Sequence, residues 1–181
     1  HAVFDDGGRH VNGTDKQSNH RYGDAYESLF PDRGAIEFVM EIGIIDGSSM
    51  LAWREIFQQA HIVGMDIHPC SCERGPRLEF WLGDQRNRDE CCRAATNNYR
   101  EPERRFDLIV EDAYHSTDNT LLTLLWLWPY VRPGGLYVVE EWHNIGAVKC
   151  DVTSLWPNAE ILDTVGPSGG IEPLVVMRKP L

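Results

Sequence analysis

The sequence has few basic side chains and no long apolar run. Lysine and arginine number 17 against 28 aspartates and glutamates, and the formal net charge is -11 over 181 residues. That balance argues against nucleic acid and against an anionic membrane surface as partners. No stretch reaches the roughly 18 consecutive apolar residues of a membrane span, and the start lacks a basic region followed by an apolar one. We therefore expect a cytoplasmic protein that acts on a small molecule.

The cysteines do not indicate a disulfide or zinc framework. The five cysteines are an odd number and do not make a disulfide framework. Two close pairs, Cys70 with Cys72 and Cys91 with Cys92, lack the C-x2-C spacing that is usual in tetrahedral zinc sites. We interpret them as reduced thiols in or under a loop.

Short apolar runs alternate with helix-like segments along the chain. The runs at 36–43, 61–67, 78–84 and 136–141 read as strands, as does "FDLIVED", and helices are predicted between them, one over 88–98. The tail reads as a hairpin, "AEILDTV" and "PLVVMRK" around a Gly/Pro turn. This order predicts one α/β unit, Rossmann-like and doubly wound, with a mostly parallel seven-stranded sheet and a C-terminal antiparallel hairpin.

One predicted helix, Leu121 to Trp128, is apolar on nearly all sides. Two interpretations stay open. The helix is wedged between the sheet and neighbouring helices, or part of it forms the subunit interface of a homo-oligomer.

Glycines 43 and 47 flank the turn after the first strand, in the stretch "EIGIIDGSS". Glycine lets the backbone pass close to a ligand. The spacing lacks the G-x-G-x-x-G of dinucleotide binders, and Asp46 inside the turn would oppose a pyrophosphate but tolerate a cationic ligand. Alone, the turn is a weak indication of a binding site.

Two further acids end strands. Asp66 is placed to accept hydrogen bonds from two vicinal ribose hydroxyls, and the alternative is a helix or turn cap. Asp84 is placed to read an adenine amino group, and the alternative is the N-cap of the next helix. Ligands of parallel sheets bind at the carboxyl ends of the strands, so three agreeing strand ends favour a nucleotide-like ligand.

At these residues the chain resembles the class I S-adenosylmethionine-dependent methyltransferases. The motifs "EIG", "GMDIHP", "GDQ" and "PGGLYVVEE" follow that family's order across most of residues 36–178. The resemblance implies S-adenosylmethionine as cofactor, with Glu41 and the glycine turn at its methionine part, Asp66 at its ribose and Asp84 near its adenine. It implies further cofactor contacts at Gly43, Ser48, Ile67 and Asp112.

Acids also end the fourth and fifth strands, as Asp112 and as Glu140 with Glu141. Neighbouring strands lie about 4.8 Å apart, so these carboxylates can converge on one hard cation with ligand distances of about 2.1 Å. Both glutamates can contribute only if the strand stops there, because adjacent residues of a regular strand point to opposite faces. For Glu111 alone we favour a solvated position at the sheet edge.

His115 follows Asp112 by three residues and is placed at the same mouth. Imidazole, with an ordinary pKa of about 6.5, accepts a proton at neutral pH. A sugar hydroxyl is too weak an acid to attack a methyl group unassisted, and a divalent cation chelated by two substrate oxygens lowers that barrier. His115 is therefore the candidate general base.

The constellation resembles a narrower family, the metal-dependent O-methyltransferases of macrolide deoxysugars (the macrocin and mycinamicin enzymes) together with cephalosporin hydroxylase-like proteins. Their strands end "DDGSH" and "VVED", where this chain has "EDAYH" and "VVEE". The resemblance implies Asp112, Glu140 and Glu141 as ligands of Mg²⁺ or another divalent cation and His115 as the catalytic base.

The segment "GTDKQSNHRYGDAYESLF" is similar to the same family's cover of the cofactor and active site. Carried over by position, the similarity marks Thr14, Asp15, Lys16, His20, Tyr22 and Tyr26. For His20 and Tyr22, helix capping and packing stay an equal alternative. The implied division is a cap segment over residues 1–34 and an S-adenosylmethionine-binding domain over 35–181.

We therefore expect a metal-assisted O-methyltransferase acting on a hydroxyl of a sugar or related natural-product intermediate. A catechol-type acceptor stays open, because it too offers two vicinal oxygens. Two other classes also stay open. One is a metal-dependent hydroxylase or hydrolase on the same fold, which would turn over without S-adenosylmethionine; the other is a non-catalytic S-adenosylmethionine-binding subunit.

Overall fold

A computed structural model describes residue 16 and residues 22–72, 75–142, 159–165, 169 and 171–181. The helices are α1 (Tyr22–Leu29), α2 (Ser48–Ile56), α3 (Arg88–Ala95) and α4 (Thr117–Leu127), with short 3-10 turns at Arg33–Ala35 and Trp128–Tyr130. The strands are β1 (Phe38–Ile42), β2 (His61–Asp66), β3 (Leu78–Leu82), β4 (Phe106–Glu111), β5 (Val131–Val139), β6 (Ala159–Val165) and β7 (Ile171–Arg178).

The described strands form a seven-stranded sheet in the order β3-β2-β1-β4-β5-β7-β6. Strands β1 to β5 pair in parallel, whereas β7 runs antiparallel to both β5 and β6. The predicted fold class is confirmed, including the closing hairpin. Because Ile42 pairs with Glu111 and Glu111 with Val139, the ends of β1, β4 and β5 lie at one edge.

Apolar side chains bury both faces of the sheet, as its continuous apolar strands predict. On one face, Trp53 of α2 and Phe57, which directly follows the helix, stack on each other and pack against the sheet. On the other face, Leu124 and Leu127 of α4 are fully buried. Each such side chain contributes about 1.5–3 kcal/mol when buried. This two-sided core holds the strand ends in fixed relative positions.

Two helices differ from the sequence-based expectation. Helix α3 ends at Ala95 instead of residue 98, because Asn97, Asn98 and Tyr99 all adopt positive φ angles, of 50°, 55° and 62°. Helix α4 buries one face and exposes Leu122 and Leu125 on another. The wedged interpretation therefore holds for one face, and the homo-oligomer stays a prediction.

The four described cysteines are free thiols. Cys70 and Cys72 lie in the loop after β2, as expected, whereas Cys91 and Cys92 belong to α3 and not to a loop. Cys150 lies outside the described residues. Among the helices that the structure describes, none is long and apolar enough to cross a membrane.

Candidate active site

A cavity of about 620 Å³ opens at the carboxyl edge of the sheet, within the range of about 300–1,000 Å³ that is usual for small-molecule sites. The predicted site residues in its wall are Gly43, Asp66, Ile67, Asp84, Asp112, His115, Glu140 and Glu141. The predicted residues outside this wall are Lys16, Tyr22, Glu41 and Ser48. Parallel pairing thus brings most of the predicted site to one place.

The glycine turn after β1 passes directly against the end of β4. Gly43 has a φ of 85°, and a Cβ atom there would lie 2.6 Å from Ala113 Cα and would overlap the Asp112 carbonyl. Gly47 has a φ of 86° and precedes α2 as its N-cap residue. Only glycine adopts this backbone conformation at low cost in so little space.

Asp66 is nearly buried and holds this turn in place. Its Oδ2 accepts hydrogen bonds from the backbone N–H groups of Ile44 (2.9 Å) and Ile45 (2.8 Å), and its Oδ1 accepts one from His68 (2.8 Å). The turn-cap role left open by the sequence is therefore present. A carboxylate has about four lone-pair sites, so a ribose contact is compatible with these bonds and stays a prediction.

Asp84 lies at the far end of the cavity and is held by Arg86. Both carboxylate oxygens accept from the guanidinium, at 2.6–3.0 Å, and the Arg86 hydrogen bond lowers the pKa of Asp84. The N-cap of α3 is Asn87, whose side chain accepts from the N–H groups of Asp89 and Glu90. The N-cap alternative for Asp84 was therefore wrong, and its contact with adenine stays a prediction.

Glu41 and Ser48 lie behind the cavity. Glu41 is fully buried, and its Oε2 accepts from the Ser49 hydroxyl (2.6 Å) and from Trp53 Nε1 (3.0 Å). Burial raises the pKa of Glu41. Ser48 begins α2, and its N–H donates to Asp46 Oδ1 at 2.9 Å. Neither side chain lines the cavity, so direct cofactor contacts by these residues stay predictions without geometric support.

The ammonium group of Lys16 lies among three carboxylates. Its Nζ atom is 2.7 Å from Glu140 Oε2, 2.9 Å from Asp112 Oδ2 and 3.0 Å from Glu41 Oε1. Burial alone would lower the pKa of Lys16, but the charges of Asp112, Glu140 and Glu41 outweigh it and raise the pKa well above its ordinary value. Lys16 is therefore a buried cation that joins the N-terminal segment to the ends of β1, β4 and β5.

Helix α1 adds two tyrosines to this arrangement. Tyr26 donates its hydroxyl to Glu140 Oε1 at 2.6 Å, and the buried Tyr22 hydroxyl accepts from the N–H of Glu141 at 3.3 Å. Tyr22 thus has the packing role that the sequence left as an alternative. The remaining predicted residues of this segment, Thr14, Asp15 and His20, lie outside the described residues.

Strand β5 ends at Val139, so Glu140 and Glu141 lie beyond the regular strand. This is the condition under which both side chains could contribute to one cation site. Glu141 has a φ of 51° and turns toward His115, whose Nε2 lies 3.5 Å from Glu141 Oε2. Burial and the nearby acids Asp112 and Glu41 raise the pKa of Glu140 to about 8, against the opposing charge of Lys16. The two glutamates therefore have different surroundings, one enclosed and one at the mouth.

The predicted metal ligands do not form a ready metal site. Their oxygen atoms suit a hard cation, but the Lys16 ammonium contacts Asp112 and Glu140, and Glu141 faces His115. Over the described ranges, no group of three or more His, Cys, Asp or Glu side chains is arranged to hold a metal ion. A divalent ion fits the donor chemistry of this edge but not its present arrangement.

Sequence reasoning missed Gln85. Its amide nitrogen donates to Glu111 Oε1 at 3.0 Å, and its amide oxygen accepts from the Tyr114 N–H at 2.8 Å. Gln85 thereby ties the loop after β3 to the loop that carries His115. Gln85 directly follows Asp84 in the sequence, but its burial becomes apparent only in the tertiary structure.

The solvated interpretation of Glu111 was wrong. Strand β4 continues through Glu111, which pairs with Val139 and is 1% exposed. Burial raises the pKa of this carboxyl. The sequence placed Glu111 in the strand but missed its burial, which depends on the neighbouring strand and on Gln85. At the cavity mouth, by contrast, Tyr114 is 76% exposed and lines the wall.

Comparison with known proteins places the chain among methyltransferases. A family model described as a methyltransferase domain matches residues 40–142. The chain is 30% identical over 153 residues to "8-demethyl-8-alpha-L-rhamnosyl tetracenomycin-C 2'-O-methyltransferase" of Streptomyces olivaceus, with 80% of this chain and 37% of that protein covered. It is 31% identical over 143 residues to "Demethylmacrocin O-methyltransferase" of Streptomyces fradiae, with 70% and 35% covered. The chain thus spans about a third of the length of these curated relatives.

A solved structure has the same fold. It is described as MycE methyltransferase from the mycinamycin biosynthetic pathway in complex with Mg, SAH and mycinamycin VI. The TM-score is 0.71 at 21% identity, and the match covers 89% of this chain and 49% of that chain. At this identity the likeness concerns the fold alone.

Proposed function

The chain belongs to the methyltransferase-domain family, and on that premise we propose that it transfers the methyl group of S-adenosylmethionine to a hydroxyl of a sugar or related natural-product intermediate. One observation carries the proposal. A single cavity is lined at one end by the glycine turn, Asp66 and Asp84, and at the other by Asp112, Glu140, Glu141 and His115. The first set suits a nucleoside cofactor, and the second suits activation of a hydroxyl.

Three features of the cofactor end support S-adenosylmethionine as its ligand. Without a side chain at Gly43, the turn packs directly against the end of β4, and its backbone lines the cavity where the methionine part is proposed to bind. Asp66 faces the cavity from the end of β2, the position from which a carboxylate accepts from ribose hydroxyls. The acidic wall also suits the positive sulfonium group of the cofactor.

The acceptor end offers the imidazole of His115 and several carboxyl groups. In the proposed step, the acceptor oxygen attacks the methyl carbon, the bond from that carbon to sulfur breaks, and the imidazole of His115 takes the hydroxyl proton. Glu141, whose Oε2 lies 3.5 Å from His115 Nε2, is placed to orient the ring. The exposed Tyr114 at the mouth is placed to pack against the acceptor.

Asp112, Glu140 and Glu141 are proposed as the ligands of a divalent cation, Mg²⁺ or a similar ion. When bound, such an ion would act as a Lewis acid on the acceptor oxygens. The oxygen donor set supports this assignment, and the name of the MycE complex adds that a protein with this fold binds Mg. The position of Lys16 means that the carboxylates must rearrange first.

The choice of acceptor rests on the relatives. The two relatives described above are named as O-methyltransferases of a rhamnosyl tetracenomycin C and of demethylmacrocin. We propose a deoxysugar-bearing natural product as the acceptor class. A hydroxylase or hydrolase on this fold would instead consume substrate without S-adenosylmethionine.

Replacement of Asp112 by Ala tests the division of roles. We expect loss of methyl transfer to rhamnosyl and macrolide glycosides and loss of any response to Mg²⁺. S-adenosylhomocysteine affinity is expected to change by no more than a few fold, because Asp112 acts mainly at the acceptor end. Asp118→Ala, which removes an exposed acid of α4, is the matched control and keeps activity. An equal collapse of cofactor binding in Asp112→Ala would contradict this division.

His115→Ala tests the base. Turnover is expected to fall by about 10²–10⁴-fold and to recover partly as pH rises, since a growing fraction of the acceptor loses its proton without help. The measurement is the pH profile of methyl transfer under saturating cofactor. A variant that keeps the wild-type rate and profile would remove His115 from the proposed step.

A further inference from the structure

The position of Lys16 bears on how a divalent ion reaches this site. Its side chain is fully enclosed, and its Nζ atom contacts carboxylates from the ends of three different strands. The contacts to Asp112 Oδ2 and Glu140 Oε2, at 2.9 and 2.7 Å, are also hydrogen bonds. The ammonium therefore occupies the point where these two strand-end carboxylates meet.

Surrounding groups hold the carboxylates in this orientation. Glu140 has its other oxygen bonded to the Tyr26 hydroxyl at 2.6 Å. Glu41 has its other oxygen bonded to Ser49 and Trp53. With one oxygen of each glutamate held in this way, the second oxygen of each is directed at Lys16 Nζ.

Two of these carboxylates, Asp112 and Glu140, are the proposed ligands of the divalent ion. A divalent ion bound at about 2.1 Å to the oxygens that Lys16 contacts would lie beside a buried ammonium group. The two cations would repel each other in an enclosed region of low dielectric constant. Both cannot use the same two oxygens at these distances.

We propose that Lys16 and the divalent ion compete for Asp112 and Glu140, so that the metal binds only after the ammonium group has been displaced. This inference rests on the metal assignment in the proposed function and adds a means of regulation. Without metal, Lys16 stabilises the clustered acids. Metal binding removes that contact and frees the side chain from the strand ends.

The displacement would reach beyond the side chain. The backbone N–H of Tyr22 donates to the Lys16 carbonyl oxygen at 2.6 Å, so Lys16 is attached to the start of α1. Tyr22 and Tyr26 of the same helix contact Glu141 and Glu140. Metal affinity and the attachment of α1 to the strand ends are therefore coupled.

Calorimetric titration with Mg²⁺ tests the competition. Lys16→Met removes the competing charge and keeps a side chain of similar length, and we expect it to bind Mg²⁺ at least about tenfold more tightly than the wild type. Lys16→Gln, which keeps hydrogen-bond donors for the acids, is the second variant in case the first does not fold without metal. Arg100→Met, which removes an exposed charge beyond the end of α3, is the matched control and is expected to leave the affinity unchanged.

A chemical-rescue experiment separates displacement from repulsion at a distance. In Lys16→Ala, ethylammonium is expected to fill the vacated space and to weaken Mg²⁺ binding competitively, whereas tetramethylammonium, which cannot donate hydrogen bonds, is not. Equal or weaker Mg²⁺ binding by the Lys16 variants, or no Mg²⁺ binding by any form, would overturn the proposal. S-adenosylhomocysteine is titrated in parallel, since failure of the methyltransferase assignment would appear there and not in the comparison of Mg²⁺ affinities.

Discussion

At Gly43 the backbone of the cofactor end lies against the backbone that follows β4 at the acceptor end. Its positive φ and the overlap that a Cβ would make with Asp112 and Ala113 combine two costs at one position. The overlap is with backbone atoms, which cannot rotate away. A change at Gly43 is therefore expected to move the end of β4 as well as the turn.

Gly43→Ala should lower the free energy of unfolding by about 1–3 kcal/mol, because the left-handed backbone and the overlap both disfavour a side chain. Urea unfolding measures this change, and S-adenosylhomocysteine affinity should fall with it. Gly34→Ala is the control, since a Cβ there would meet only Asp32 Oδ1, at 3.4 Å. Equal stability of the two variants would show that the turn is not constrained as described.

Gln85 and Glu111 are a second constrained pair at the residue scale. Gln85→Leu removes the amide that donates to the buried Glu111 carboxyl and the oxygen that accepts from Tyr114. We expect a loss of about 1–3 kcal/mol in unfolding free energy, the usual cost of leaving a buried polar group without its partner.

A double-mutant cycle checks the cause of that loss. Glu111→Leu combined with Gln85→Leu should cost less than the sum of the two single changes, because the buried carboxyl is then gone. Additive losses would mean that the hydrogen bond contributes little. Either result is read from urea unfolding of the four proteins.

Single residues show where sequence reasoning reaches its limit. Asp112 and Glu140 could be predicted, because each follows an apolar run that is recognisable as a strand, and parallel strand ends share an edge. Their contact with Lys16 could not, because the residues are 96 and 124 positions apart. Only the folded arrangement shows that a cation of the chain itself lies between the predicted metal ligands.

At the scale of elements, the strands were predictable and the helix ends were not. Strands β1, β2 and β4 are short apolar runs whose side chains are buried on both faces. The end of α3 depends on positive φ angles at Asn97 and Asn98, a choice that the local sequence permits but does not impose. The burial of Glu111 was missed for a different reason, since it depends on the pairing of β4 with β5 and on the hydrogen bond from Gln85.

The strand β3 lies at the edge of the sheet and is anchored by a charged cluster. The Glu79 carboxylate of β3 accepts hydrogen bonds from the Arg104 guanidinium at 3.1 and 3.2 Å and from the Trp81 indole N–H. It also lies 3.2 Å from His61 Nε2 of β2. Burial alone would raise the pKa of Glu79, but these hydrogen bonds and the charge of Arg104 outweigh it and lower the pKa to about 2. The cluster joins the edge strand to the segment that leads into β4.

This shift predicts a pH dependence of stability. An unfolded Glu has a pKa of about 4.3, so the unfolded chain binds more protons than the folded one between about pH 2 and 4.3. The stabilisation by Glu79 is therefore present above about pH 4.3 and is lost as pH falls toward 2. Glu79→Gln should be less stable than the wild type at pH 7, and the difference should shrink toward pH 2.

Thermal unfolding at several pH values measures that difference. Glu103→Gln is the matched control, because Glu103 is largely exposed and lies 3.8 Å from its partner Arg105. Parallel pH profiles for the wild type and Glu79→Gln would contradict the assignment of the stabilisation to this cluster.

At the scale of the whole molecule, the net negative charge and the acidic cavity wall both favour a cationic ligand. A net charge of -11 disfavours polyanions but suits a cationic cofactor, and the cavity has an acidic wall at both ends. The chain spans about a third of the length of its curated relatives. The described residues therefore support the cofactor site more fully than the acceptor site.

Calorimetric titration of the full chain with S-adenosylhomocysteine tests the central claim most directly. We predict one binding site, and no binding of NAD, because the turn lacks a dinucleotide motif and carries the negative charge of Asp46. The preparation is first shown to unfold cooperatively, so that a negative result concerns the site and not the folding. The absence of binding up to about 1 mM S-adenosylhomocysteine, an affinity weaker than about -4 kcal/mol, would contradict the methyltransferase account.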